Sequence, residues 1–171
     1  MSARSRDPRV AVEGLSIPSP RRPPDDTGSG AGRTSEQRPT AAVDRPVTEL
    51  MSQPVLAVRN DTALAWAVEA LAGPRARHLA VVDADGRCLG VLADRTVMLA
   101  WARNPVDVHR RCGDVLPPGE VAVVARTATV AEAVRDMRLS GTDAVAVVDE
   151  TGHPVGMLSA ADVLALLDRT P

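Results

Sequence analysis

"HLAVVDADGRCLGVL", residues 78–92, and "AVAVVDETGHPVGML", residues 144–158, are two copies of one pattern set 66 residues apart. Each holds an apolar run into an aspartate, a turn with a glycine, and a second apolar run containing a glycine. The offset holds at Asp83 and Asp149, Gly86 and Gly152, and Gly90 and Gly156. Working backward, Leu64, Val68 and Leu71 fall on Val130, Val134 and Met137, spaced four and three as on one face of a helix. So constant an offset across separate elements marks a duplication.

Each copy is expected to run β-α-β-β-α. A strand ("VLAV", 55–58; "VAVV", 121–124) precedes a helix (about 62–72 and 129–139). A strand, a turn built on "DADG" or "DETG" and a second strand follow. A helix near 94–102 or 160–169 closes the copy. Thr129 and Glu132 have the spacing of a capping box, in which each side chain satisfies an orphan backbone donor. One such unit of about 60 residues buries too little surface to be secure alone, so the two should pack sheet to sheet. The fold class is α+β (α/β), two repeats packed pseudo-symmetrically.

The repeats are expected at 47–108 and 109–171. Residues 1–46 differ from the rest, with seven of the 14 prolines, the run "RRPPDDTGSGAG" and only brief apolar patches. So little apolar surface does not offset the entropy of ordering, and the segment reads as a disordered tail.

The 171 residues carry a formal charge of −2, which gives no reason to expect nucleic acid or an anionic membrane as partner. All 20 basic residues are arginine, and Phe and Tyr are absent. The core must therefore come from Val, Leu, Ala and Met, and base-stacking platforms are not expected. No apolar run reaches the roughly 18 residues of a membrane span, and no secretory signal opens the chain, so a cytoplasmic location is expected. Cys88 and Cys112 form neither a disulfide framework nor a metal spacing. No Walker loop, partnered nucleophile or metal cluster is visible, so no catalytic activity is expected.

With "RHLAVVDADGRCLGVL", "VAVVDETGHPVGMLSAADVL" and the lead-ins "VTELMSQPVLAV" and "CGDVLPPGEVAVV", residues 47–169 resemble a tandem CBS domain, or Bateman module. The resemblance implies a regulatory module binding an adenosine-containing ligand (AMP, ADP, ATP, adenosine or S-adenosylmethionine) in clefts between the repeats, with no cofactor required. It also implies a homodimer and a regulated partner protein that the sequence does not identify. Glycine, two apolar residues, Ser/Thr, two residues and Asp form the family's ribose signature, matched by Gly156, Met157, Ser159 and Asp162. There the aspartate accepts from the ribose hydroxyls, and the Ser/Thr lies at a helix N-terminus near a phosphate.

By the same resemblance the first copy's cleft would have Arg77 and His78 at its phosphate end but Ala93 and Thr96 at the signature positions, so at most one competent site per chain is expected; Asp94, one place off, is expected to cap its helix. The resemblance places the adenine wall for Ser159 and Asp162 at Pro54, Val55 and Leu56, with Ala76, Arg77 and His78. It puts Asp143 at the phosphate end of that cleft, where it would disfavour phosphorylated ligands. Two other readings remain open. Ser159 and Asp162 also make an ordinary helix start, and the whole module could be a ligand-free dimeric scaffold. Val97, Leu99, Trp101, Val163, Leu164 and Leu167 supply apolar surface for dimerisation, with Trp66 and Trp101 expected to pack rather than stack on adenine.

Overall fold

The computed structural model describes residues 43–73, 76–104, 107, 109–118 and 121–168. The tail over 1–42 lies outside the described residues. The first repeat comprises β1 (Ala57–Arg59), α1 (Leu64–Leu71), β2 (His78–Val82), β3 (Cys88–Ala93) and α2 (Asp94–Arg103). The second comprises β4 (Val123–Ala125), α3 (Val130–Ser140), β5 (Ala144–Val148), β6 (Pro154–Ser159) and α4 (Ala160–Asp168). Each forms its own three-stranded sheet, ordered β1-β2-β3 and β4-β5-β6. The first pair in each sheet is parallel across a helix, and the second is an antiparallel hairpin.

The duplication extends to detail. Both hairpins carry an irregularity at matching places, Val81/Val82 and Val147/Val148. In each turn an aspartate oxygen accepts two backbone N–H groups, at Asp85 and Arg87 from Asp83 and at Thr151 and His153 from Asp149. Gly86 and Gly152 close these turns at φ of +84° and +88°, where a β-carbon is disfavoured. The helix faces also match. Leu64, Ala67 and Leu71 are buried on α1, and Val130, Ala133 and Met137 on α3. Val68 and Val134, placed on that face by the sequence pattern, are half-buried at its margin.

The first strands begin later than their apolar runs. Val123 N–H closes a local turn onto the Val121 carbonyl, which leaves Val121 exposed. Leu56 contributes only its carbonyl to Ala80 N–H before β1 starts.

The lead-ins cross over between the repeats. Val47, fully buried, donates its N–H to the Ala128 carbonyl, and Val130 N–H at the start of α3 is taken by the Arg45 carbonyl. Reciprocally, Cys112 N–H bonds the Thr62 carbonyl, and Leu64 N–H at the start of α1 bonds the Arg110 carbonyl. Each lead-in thus supplies an acceptor for the unsatisfied N-terminal turn of the other repeat's first helix. It also supplies core. Val47 belongs to the apolar cluster of the second repeat, and Cys112 and Val115 to that of the first. Ala80 and Val91 of the first sheet join the second repeat's cluster, so the sheets meet through apolar side chains.

Burial, with the charge of Asp114 adding to it, pushes the Cys112 thiol up to about 11. The Cys88 thiol is also raised by burial. Both cysteines are free. Trp66 and Trp101 pack partly buried against the first cluster.

Thr129 and Glu132 form the capping box at α3. Thr129 Oγ accepts from Glu132 N–H at 3.3 Å, and the Glu132 carboxylate accepts from Thr129 N–H at 2.7 Å. The Thr129 N–H first, and then the Thr129 hydroxyl 3.0 Å from Oε2, hold the Glu132 carboxyl below the usual carboxylate range. Thr129→Ala is expected to lower stability by about 1 kcal/mol, read as a lower urea midpoint at unchanged m value.

Candidate ligand site

β6 ends at Ser159 and α4 begins one residue later, so the signature serine and aspartate fall on the first turn of a helix. They form a second capping box. Ser159 N–H and Oγ–H donate to Asp162 Oδ2 at 2.8 and 2.6 Å, and Asp162 N–H returns to Ser159 Oγ at 3.4 Å. All these bonds use Oδ2 or the serine hydroxyl; among the described residues none is made to Oδ1. A carboxylate has about four acceptor positions, so the cap leaves Oδ1 able to accept from a diol.

The lead-in of the first repeat forms the wall beside this helix start. Ser52 and Met157 exchange backbone bonds at 2.7 and 3.1 Å, and the Gln53 amide donates to the Val155 carbonyl at 2.8 Å. Pro54 and Val55 follow directly, the first exposed and the second half-buried against the second repeat's core. Leu56 is 39% exposed. Met51 lies so close over Gly156 that a β-carbon there would overlap its side chain. Leu116 covers Gly90 in the same way, 3.1 Å from where a β-carbon would stand. The two signature glycines therefore make room for the opposite repeat's lead-in.

Ala76, Arg77 and His78 group with the first repeat's core and the first-copy cleft, where the resemblance also places Arg77 and His78. Ala76 is half-buried against the first repeat's core. Arg77 is exposed and paired with Asp94, 3.1 Å away. His78 lines the cleft of the first copy, a cavity of about 530 Å3 whose walls include Ala93, Asp94, Thr96, Leu99, Pro117 and Asp143. Asp143 was expected at the phosphate end of the Ser159–Asp162 cleft. Its carboxylate instead faces this other one, where His78 Nε2 stands 2.9 Å from Oδ1.

Burial works to raise the Asp143 carboxyl. The His78 hydrogen bond, with the His78 and Arg77 charges, outweighs it and holds the group below the usual range. Asp94 is the first residue of α2, and its carboxylate takes the next N–H, of Arg95, at 2.5 Å as well as the Arg77 guanidinium. The first-copy cleft therefore has its helix start occupied by a carboxylate and a second carboxylate opposite. Position 143 corresponds to 77 by the offset, and its side chain serves the cleft that the other repeat's helix opens.

The geometry of two pseudo-symmetric β-α-β-β-α units with exchanged lead-ins agrees with comparison to known proteins. The family description "CBS domain" matches residues 47–103 and 112–169. The chain belongs to the CBS domain family. A CBS domain-containing protein of Dictyostelium discoideum is 29% identical over 132 residues, covering 71% of this chain and 90% of that protein. Among solved structures, the CBS domain pair of protein MJ0100, in complex with 5-methylthioadenosine and S-adenosyl-L-methionine, superposes with a TM-score of 0.60 at 20% identity. It covers 74% of this chain and 98% of that one. A CBS domain protein of Pyrobaculum aerophilum complexed with AMP gives a TM-score of 0.59 at 22% identity, covering 72% and 98%. At these identities the likeness establishes the shared fold.

Proposed function

We propose that this CBS pair is a regulatory module that binds an adenosine-containing ligand beside Asp162 and modulates a partner protein. The observation that carries the reading is the division of labour on one carboxylate. Oδ2 holds the start of α4, while Oδ1 makes no bond among the described residues and stands ready for a ribose diol. The segment Pro54–Leu56 leads up to the start of α4, Met157 is buried in the core beneath it, and solved relatives of this fold hold AMP or S-adenosylmethionine. Among the described residues no helix is long and apolar enough to cross a membrane. The module acts through binding, without a catalytic step of its own. Leu99, Leu164 and Leu167, 50%, 62% and 41% exposed, supply apolar surface on α2 and α4 for a second copy of the chain. Val97 and Val163, expected to share in that surface, are buried inside the repeats.

A second reading, a ligand-free dimeric scaffold, is favoured by a specific observation. Ser159 and Asp162 already complete a helix cap, and Met51 occupies the space over Gly156. Thermal unfolding with AMP, ADP, ATP, adenosine and S-adenosylmethionine separates the two. A ligand at 100 times its dissociation constant adds about 2.7 kcal/mol, a shift of several degrees. The sensor predicts such a shift for at least one of them. Unchanged unfolding with all five identifies the scaffold.

A further inference from the structure

The two hairpin turns, at Asp83–Arg87 and Asp149–His153, meet where the repeats adjoin. Cys88 N–H donates to the Gly152 carbonyl at 2.9 Å. The symmetric bond cannot form, because the residue matching Cys88 is Pro154, which has no N–H. His153 stands in its place. Its Nε2 lies 3.0 Å from the Asp85 carbonyl, and its ring packs over Gly86, where a β-carbon would come within 2.9 Å of Cδ2.

The protons on that ring can be counted. The Asp85 carbonyl only accepts, so Nε2 must carry a hydrogen. On the other side Nδ1 is 2.6 Å from Thr151 Oγ, and Thr151 Oγ is 2.6 Å from Asp149 Oδ1. Threonine has one hydroxyl hydrogen. An ionised Asp149 claims it, and hydrogen bonds from Thr151 and the His153 backbone hold that carboxyl below the usual range. Oγ must then accept from Nδ1–H. With a hydrogen on each nitrogen, the ring satisfies all three bonds only as the imidazolium. A neutral ring must give up either the Asp85 bond between repeats or the Thr151–Asp149 bond within the turn.

The charged surroundings suit a cation. Asp149 Oδ1 is 3.9 Å from Nδ1. The facing turn brings Asp83, Asp85 and Arg87, with the Arg87 stem against Gly152, and Glu150 sits exposed in the ring's own turn. Within the two described turns, Arg87 is the one arginine beside these four carboxylates.

We propose that His153 is a proton-operated tie between the two CBS repeats: protonated, it links the hairpins, and on losing its proton it releases one end. The proposal stands independently of ligand binding, since it uses none of the residues around Asp162. An imidazole changes charge between about pH 5 and 8. The tie is a group whose protonated form favours the folded pair. Its stabilisation is present on the acid side of that range and is lost as pH rises.

The test compares thermal unfolding of the full chain, wild type and His153→Gln, from pH 5.5 to 8. Glutamine keeps one donor but cannot take up a proton. His78 and His109 are common to both proteins, so their contributions drop out of the difference. The wild type is expected to exceed the variant by about 3 °C at pH 5.5 and by under about 1 °C at pH 8. Thr151→Val, which removes the claim on Nδ1, should flatten the pH dependence in the same way. Nitrogen NMR should find both ring nitrogens of His153 protonated at pH 5.5. A constant difference across the range, or a singly protonated ring at pH 5.5, overturns the proposal.

Discussion

Val47→Asp is expected to abolish cooperative folding of the second repeat. Val47 lies in the lead-in of the first repeat, yet its side chain is fully buried among Val130, Ala133 and Val145 of the second repeat's cluster. A carboxylate there has no partner, and burying it unpaired costs several kcal/mol. Against a total stability of about 5–15 kcal/mol for a domain, that is enough to empty the native state. The neighbouring Thr48 is exposed, so Thr48→Asp should change stability by no more than about 0.5 kcal/mol. Circular dichroism and urea unfolding of the two variants read the contrast. If Val47→Asp unfolds like the wild type, the lead-in is not docked in the opposite repeat.

The second large effect lies inside the signature itself. Leu158, between Met157 and Ser159, is fully buried and sits opposite Val145 in the β5–β6 ladder. Leu158→Ala removes buried methyl groups and leaves a cavity, with an expected loss of about 2–5 kcal/mol. Leu92, its counterpart 66 residues earlier and also fully buried, should lose a similar amount. Leu139, 52% exposed on α3, is the control, with Leu139→Ala within about 0.5 kcal/mol of the wild type. Equal small losses at all three positions would mean that the β6 side chains do not face a packed core.

Much of this architecture is legible in the sequence because a duplication repeats every local signal. The aspartate and glycine of each hairpin turn, the apolar spacing at Leu64 and Leu71 and at Val130 and Met137, and the Thr129 cap are all local chemistry. They appear where the pattern puts them. The crossover of the lead-ins is not legible in the same way. Val47 and Cys112 fit the apolar surface of either repeat by composition, and the choice between pseudo-symmetric partners is made by non-local packing. Asp143 takes its place from its partner His78, a pairing across repeats that no local pattern reveals. The later start of β4 follows from the bond between Val123 and Val121, which no apolar run reveals.

The signature at Ser159 and Asp162 is legible as a pattern, but both of its readings come from the same residues. The helix cap is present in the structure, and the ribose contact is the proposal. Pro54 is exposed and Val55 packs against the second repeat's core. Ala76 turns into the first repeat's core, Arg77 to Asp94, and His78 to Asp143.

The most direct measurement is isothermal titration of adenosine, AMP and S-adenosylmethionine into the wild type and into Asp162→Ala. The account predicts saturable binding of at least one ligand, at one site per chain, and its loss in the variant while the protein remains folded. Binding of equal strength to both proteins, or at two sites per chain, would contradict a ligand seat at Asp162.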